Sequence, residues 1–319
     1  MSAPAPPRSE SLRDAYGQTL VELGASDPEM VVFDADLSGS TRTVLFGKKY
    51  PERFFNVGVM EPTMMTMAAG LALSGRTVFA STFAVFAAGQ AYNQVRQSIC
   101  YNRANVKIVA THGGLTVGGD GGTHQMVEDI GLMRGLPRMT VVVPADAPTT
   151  RTATRVLHDT RGPAYLRLPR ENLPVVTDGE FRLGRAPELA AGSDLTIGAV
   201  GVMVARALEV ARRLGEGGIS VRVLDLASVK PFDEPAILRA ARETGAILVL
   251  EEHSVLTGVG ALVASVTAEQ YPVPVRRVGV ADLFGESGEP WALLDRYGLS
   301  VERIGDEAWE LLKLRGKVQ

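Results

Sequence analysis

Short apolar, β-branched runs alternate with longer helical patterns along almost the whole chain, and this alternation constrains the fold more than any other feature. The runs of the amino-terminal half are mostly apolar and do not alternate with polar residues, which is typical of strands buried on both faces of a parallel sheet. The pattern therefore predicts an α/β fold with mainly parallel sheets covered by helices. The predicted strands of this half are residues 30–33, 54–59, 77–81, 106–111, 140–143 and 164–168, and the main predicted helices are residues 63–73, 88–101 and 148–158.

A polar stretch with several prolines and glycines separates two alternating series. The boundaries predict one α/β domain over residues 11–175, a linker over 176–192 with an edge hairpin, and a second α/β domain over 193–319. Residues 1–10, rich in proline, alanine and serine, are predicted to form a flexible tail. The second series predicts strands at 195–200, 220–224, 246–251 and 275–280, and helices at 203–214, 234–242, 259–269, 289–297 and 301–314.

Charge and composition exclude several classes of protein. The 33 Lys and Arg residues against 36 Asp and Glu residues leave a net charge of −3, whereas a nucleic-acid binder usually carries a surplus of cations. The most apolar stretch, residues 77–89, is too short to span a bilayer. The single cysteine, Cys100, cannot form an internal disulfide or a thiolate metal site, so a cytoplasmic setting is expected. The four histidines are not paired at metal-ligand spacing, and no metal site is predicted in this chain.

Polar and aromatic residues follow four successive predicted strands. They are Asp36 and Ser40 after the first strand, Glu61 after the second, Phe83 and Phe86 after the third, and His112 after the fourth. Strand ends are polar in most proteins because they face water, so one such residue carries little information. Ligands of open α/β sheets nevertheless collect outside the carboxyl ends of the strands. The coincidence of an acid, aromatic rings and a histidine on neighbouring ends therefore predicts a ligand crevice.

Glu61 stands at the predicted start of a helix, directly before Pro62, which suits the first helical turn. The helix dipole stabilises a carboxylate there by about 0.3–1 kcal/mol. Glutamate is nevertheless an unusual cap beside Ser, Thr, Asp or Asn, and this favours a functional role for Glu61.

The segment from Thr111 to His124 holds six glycines, together with His112, Asp120 and His124. Glycine permits positive φ and close approach of a ligand to the backbone. A merely mobile surface loop would not account for two histidines and an aspartate within it, so the segment is predicted to bind a ligand. Arg170 follows the last strand of the first domain and could bind a phosphate group, although a lone arginine is more often a surface ion pair.

In these residues the chain resembles the carboxyl-terminal portion of transketolases, which consists of the pyrimidine-binding domain followed by the C-terminal domain. The resemblance covers nearly the whole chain after the tail, and the loop that runs from His112 to His124 is its most specific part. It is carried by VGVME (57–61), STFAVF (81–86), GDGGTHQ (119–125), RENLP (170–174) and VKPFD (229–233). In thiamine diphosphate enzymes a Gly-Asp-Gly followed by a downstream Asn holds the diphosphate, but no Asn occurs here between Asn105 and Asn172. The chain thus resembles the smaller subunit of a split transketolase.

The resemblance implies thiamine diphosphate as the cofactor. Glu61 matches the glutamate that hydrogen-bonds the pyrimidine ring nitrogen and thereby promotes loss of the thiazolium proton. Phe83 and Phe86 match aromatic residues that pack around the pyrimidine, and Asp36 matches an acid beside the cofactor. Further matches concern the sugar substrates: Asp120 and His124 for the donor, and His112, Arg170, Ser40 and Arg13 for the phosphate group in the acceptor channel.

The resemblance also implies a partner. A transketolase N-terminal subunit would carry the diphosphate and its Mg²⁺ or Ca²⁺ ion, in an α2β2 heterotetramer that transfers a two-carbon ketol unit between sugar phosphates. Three alternatives stay open: the β subunit of a 2-oxo acid dehydrogenase, a specialised ketol transferase of secondary metabolism, and a non-catalytic scaffold subunit.

Overall fold

A computed structural model describes residues 8–316 of the protein. Its strands are β1 Ser9–Ser11, β2 Val31–Asp34, β3 Phe54–Asn56, β4 Val78–Phe83, β5 Val106–Thr111, β6 Thr140–Val142, β7 Ala164–Arg167, β8 Asn172–Pro174, β9 Glu188–Ala190, β10 Leu195–Ala199, β11 Val221–Asp225, β12 Ser228–Lys230, β13 Ile247–Ser254 and β14 Val275–Val280. Its α-helices are α1 Leu12–Ser26, α2 Ser38–Thr41, α3 Val44–Lys49, α4 Glu61–Leu73, α5 Tyr92–Gln94, α6 Asp129–Gly135, α7 Ala147–Asp159, α8 Met203–Glu216, α9 Glu234–Thr244, α10 Val259–Gln270, α11 Pro290–Leu294 and α12 Val301–Leu314.

The first half of the chain builds six strands of a seven-stranded sheet with the order β12-β6-β7-β5-β4-β2-β3, and the second half supplies the edge strand β12. All neighbours in it are parallel except β12, which pairs with β6 in the antiparallel sense. Every residue of β2, β4 and β5 is buried, because helices cover both faces and leave no water-facing side. These three strands are adjacent, so their carboxyl ends open at one edge of the sheet.

The second half builds a five-stranded sheet in the order β14-β13-β10-β11-β9, parallel except for the edge strand β9. The predicted architecture of two tandem α/β units with mainly parallel, helix-covered sheets is therefore confirmed. Within residues 8–316, no helix combines the length and the apolar character that a bilayer crossing requires.

The predicted tail is wrong at its end, since Ser9 and Glu10 belong to β1, which pairs in the antiparallel sense with β8. Residues 1–7 of the predicted tail lie outside the described residues. An N-terminal segment of this kind is ordered when a strand elsewhere in the chain supplies its backbone hydrogen bonds, and that pairing depends on contacts far apart in sequence.

The segment predicted as a linker, residues 176–192, is fixed at both ends, and the edge hairpin predicted within it is wrong. At its start, the Val176 and Thr177 N–H groups donate to the buried Asp146 carboxylate, at 2.9 and 2.8 Å. At its end, β9 joins the second sheet beside β11. No hairpin forms there, since β9 pairs with a strand more than thirty residues further along the chain.

The helix predicted over residues 88–101 begins earlier and is irregular. It consists of the π-helical turns Val85–Gln90 and Val95–Tyr101 on either side of α5. Such π-helical turns are rare in proteins as a whole, and those that occur often lie at functional sites. The first of them directly follows β4 and carries Phe86.

Candidate functional site

Asp34 fixes the turn after β2, which carries two predicted site residues, Asp36 and Ser40. The buried Asp34 carboxylate accepts hydrogen bonds from the Leu37 N–H at 2.6 Å and from the Thr41 and Thr43 hydroxyls at 2.7 and 2.8 Å. Burial raises the pKa of Asp34, while the donors from Thr41, Thr43 and Leu37 lower it. The bonds hold the turn in one conformation.

On that turn, Asp36 has the left-handed φ of 68°. Its exposed carboxylate accepts a hydrogen bond from Asn56 Nδ2 at 2.9 Å. The structure thus places Asp36 at the crevice edge and ties it to the end of β3.

Glu61 is the first residue of α4 and is only 1% exposed. One carboxylate oxygen, Oε1, lies 3.4 Å from the Thr82 hydroxyl, which donates to it, and the other, Oε2, has no hydrogen-bond partner. A buried polar atom without a partner costs about 1–3 kcal/mol, and more when it is charged. The arrangement is that of an acceptor positioned for a donor from a bound molecule.

Four rings form a wall beside Glu61. Phe83, at the end of β4, stacks on His112 with ring centroids 3.8 Å apart. Phe86 lies 6.0 Å from Phe83 in a stacked arrangement and 5.6 Å from His124, which meets it edge to face. The structure therefore brings together residues separated by forty positions in sequence, and the wall is suited to packing against a flat ring.

Two guanidinium groups, those of Arg13 and Arg170, act electrostatically on His112. Arg13 donates to the Ser40 carbonyl at 2.9 Å, and Arg170 donates to the Val117 carbonyl at 2.8 Å and to Asp120 Oδ1 at 3.2 Å. Burial, with the charges of Arg13, Arg170 and His124, lowers the pKa of His112 to about 3. His112 is therefore neutral at physiological pH, beside two cations that attract an anion.

Arg42 belongs to the same group of cations, although the sequence did not indicate it as a site residue. Its charge helps burial to lower the pKa of Arg13, and it forms an ion pair with Asp14 at 2.9 Å. Arg42 ends α2 with a φ of 69°, two residues after Ser40. Its nearness to Ser40 in sequence was the available signal, but only the turn held by Asp34 brings it near Arg13.

Three of the loop glycines have the positive φ that glycine permits, and several glycines stand where another part of the chain approaches closely. A Cβ atom on Gly113 would meet the Arg167 side chain at 2.5 Å, and one on Gly121 would meet Ser287 Oγ at 2.5 Å. The close approach that glycine permits here is thus to other parts of the protein.

Within residues 8–316, no group of three or more His, Cys, Asp and Glu side chains is arranged to hold a metal ion.

The carboxylate and the aromatic rings at the crevice fit the pyrimidine end of thiamine diphosphate. The unpartnered Glu61 Oε2 offers an acceptor for a ring nitrogen that carries hydrogen, and the Phe83 and Phe86 rings offer an apolar surface next to it.

Two family models match consecutive parts of the chain. "Transketolase, pyrimidine binding domain" matches residues 9–176, and "Transketolase, C-terminal domain" matches residues 184–304. The chain is 43% identical to a putative transketolase C-terminal section of Methanocaldococcus jannaschii, over 95% of this chain and 97% of that protein. It is 41% identical to the 6-deoxy-6-sulfo-D-fructose transketolase subunit of a Clostridium species, over 94% of each chain.

A solved structure described as a split gene transketolase, inactive beta4 tetramer, superposes with a TM-score of 0.89. Its sequence is 49% identical, and the alignment covers 95% of this chain and 99% of that one.

Proposed function

The chain belongs to the transketolase family as a subunit of the split type, and from that premise we propose that it helps to transfer a two-carbon ketol unit from a ketose phosphate to an aldose acceptor. The observation that carries the proposal is the buried Glu61 carboxylate, which has one weak partner on Oε1 and none on Oε2. The family is thiamine diphosphate dependent, and this cofactor supplies the carbanion stabilisation that ketol transfer requires.

The residues of this chain would serve the pyrimidine end of the cofactor. Glu61 Oε2 would accept a hydrogen bond from the ring nitrogen and so favour the cofactor form that takes up a proton at its exocyclic nitrogen. Phe83 and Phe86 would pack against the ring and exclude water from it. Asp36 would lie at the edge of the same pocket.

The proposal places the diphosphate and its Mg²⁺ or Ca²⁺ ion on a partner, the transketolase N-terminal subunit, in an α2β2 heterotetramer. An apolar surface beside Glu61 supports a partner there: Val59, Met60 and Met67 are 74%, 52% and 46% exposed. Met60 and Met67 are seven residues apart and therefore share one face of the α4 region. The related split gene transketolase, solved as a tetramer of β chains, is described as inactive.

We expect the isolated chain to show no ketol transfer and the complex to show it. The partner chain, thiamine diphosphate and Mg²⁺ would be titrated into the protein, and transfer from a ketose phosphate to an aldose acceptor would be measured by product formation. Turnover by this chain alone would contradict the shared site. Pyruvate decarboxylation by the complex, without sugar turnover, would instead support the 2-oxo acid dehydrogenase alternative.

Sugar substrates would bind on the outer side of the aromatic wall. Arg13, Arg170 and neutral His112 would bind the phosphate group, with Ser40 beside them on the turn held by Asp34. Asp120 and His124 would contact hydroxyl and carbonyl oxygens of the donor. Arg170 already orients Asp120 through their 3.2 Å ion pair, so it would link the phosphate and donor positions.

Replacing Arg170 with alanine should raise the KM for a phosphorylated acceptor by roughly 10- to 150-fold, which corresponds to the 1.5–3 kcal/mol of a hydrogen bond to a charged group. The KM for an unphosphorylated acceptor such as glycolaldehyde should change far less. Steady-state kinetics of the complex would measure both values, with the exposed Arg182→Ala as the matched control. Equal changes for the two acceptors would count against phosphate binding by Arg170.

A second candidate substrate class is a sugar that carries another anionic group. The 41% identity to a 6-deoxy-6-sulfo-D-fructose transketolase subunit favours it, and the cation cluster would attract a sulfonate as well as a phosphate. Comparing phosphorylated with sulfonated ketose donors in the complex would separate the two classes.

A further inference from the structure

Gln125 fastens the glycine loop, defined here as residues 112–125, to the second half of the chain. Its buried Nε2 lies 3.2 Å from the Leu115 carbonyl and 3.2 Å from the Gly118 carbonyl, both in the loop. The same nitrogen lies 2.9 Å from the Glu286 carbonyl, 161 residues away in sequence. One amide group therefore donates to the loop and to the segment that follows β14.

The segment over residues 285–290 presses on the loop at its glycines. A Cβ atom on Gly118 would meet Pro290 Cγ at 2.9 Å, and one on Gly122 would overlap the Gly285 carbonyl oxygen. Gly122 does not have a positive φ, so the space left to it, and not backbone strain, requires glycine there. By contrast, nothing lies within 4 Å of the Cβ position of Gly119 in the same loop.

A third contact holds the start of the loop. The buried Glu252 side chain, on β13, accepts a hydrogen bond from the Thr116 N–H through Oε1. A Cβ atom on Gly114 would overlap the same carboxylate. The loop is therefore held at its beginning, middle and end by residues of the second half.

We propose that the C-terminal domain positions the glycine loop, with Gln125, Glu252 and the 285–290 segment as positioning elements that hold Asp120 and His124 in place for the sugar substrate. The claim that Asp120 and His124 serve a sugar substrate rests on the proposed function, whereas the claim that the C-terminal domain positions the loop does not. Displacement of a substrate-contacting group by about 1 Å can cost roughly 100-fold in rate. A domain that touches no cofactor atom can thereby control substrate binding.

Gly122→Ala and Gly119→Ala form a matched pair for the test, since both add one methyl group to the same loop. In the full chain without its partner, hydrogen–deuterium exchange of the peptides covering residues 112–125 should be about 10- to 100-fold faster for Gly122→Ala, because the added methyl group overpacks the contact and lowers the free energy of local opening. It should stay at the wild-type rate for Gly119→Ala. Gln125→Glu removes the amide donor, and we expect it to accelerate exchange in the same peptides without the added volume.

In the complex with partner, thiamine diphosphate and Mg²⁺, Gly122→Ala and Gln125→Glu should raise the KM for the sugar phosphate by about 10- to 100-fold. The concentration of thiamine diphosphate that gives half-maximal activity should not change, whereas a general loss of structure would shift both. If Gly122→Ala fails to fold, Gln125→Glu decides alone.

Loop exchange at the wild-type rate in Gln125→Glu and in any folded Gly122→Ala would overturn the proposal, as would equal acceleration in Gly119→Ala. If the wild-type complex transfers no ketol unit, the proposed function fails. The exchange rates of the isolated chain still decide the positioning of the loop in that case.

Discussion

A complex reconstituted with the Glu61→Gln chain is expected to lose ketol transfer by roughly 100- to 10,000-fold, the range that a positioned acid–base group contributes. The carboxylate is placed to accept through Oε2, which has no partner in the protein. An amide can present its N–H₂ group at the same point and would then oppose the ring nitrogen. Measuring kcat under saturating cofactor tests the chemistry separately from cofactor binding.

The stability of the isolated Glu61→Gln chain should equal or exceed that of the wild type, because the change removes a buried charge with one weak partner. Glu29→Gln is the matched control, since Glu29 is exposed and forms a surface ion pair with Arg76. A Glu61→Gln complex with full activity would contradict the catalytic role and would favour the non-catalytic scaffold alternative.

Replacing Arg167 with methionine is expected to lower the free energy of unfolding by about 3–5 kcal/mol, the cost of breaking a buried ion pair from one side. Arg167 Nε lies 2.9 Å from Asp129 Oδ2, and the two side chains are 5% and 0% exposed. The substitution would leave Asp129 with the Tyr165 hydroxyl, which donates at 2.7 Å. Urea unfolding followed by far-UV circular dichroism would measure the change.

Two further variants sharpen this test. Arg212→Ala removes exposed i,i+3 and i,i+4 ion pairs with Glu209 and Glu216, and it should change the free energy of unfolding by no more than about 0.5 kcal/mol. Arg167→Met combined with Asp129→Leu should be more stable than Arg167→Met alone, because the Asp129 carboxylate is no longer left buried without its cation. If Arg167→Met proved as stable as Arg212→Ala, the buried Asp129 carboxylate would not need Arg167 for its stabilisation.

The parts of the fold that could be predicted depend on local pattern. The buried runs of β4 and β5 are rich in apolar residues, and a run of that kind fits few other places than the interior of a parallel sheet. The order of residues 9–10 and 176–177 could not be predicted from local pattern because it comes from partners far along the chain, β8 and Asp146. Polar composition alone does not distinguish a free segment from an anchored one.

Part of the site could be predicted from the geometry of a parallel sheet. Parallel strands bring their carboxyl ends to one edge, so Phe83 and His112 were expected near each other, and their rings stack. The sequence contained no comparable signal for Arg42, which depends on the turn held by Asp34. Close approach at the loop glycines was predicted for a ligand, whereas the neighbours that the structure shows are Arg167, Ser287 and Gly285 of the protein itself.

The pairing of β12 with β6 has a consequence for how the chain folds as it is made. The first sheet receives its outermost strand on that side from residues 228–230, so β6 stays an open edge until the second half has been synthesised. At ~5–20 residues per second this takes several seconds, during which unpaired N–H and C=O groups can pair with another nascent chain. The amino-terminal sheet is thus completed only when residues 228–230 have been made, which makes a break between the halves a route to aggregation.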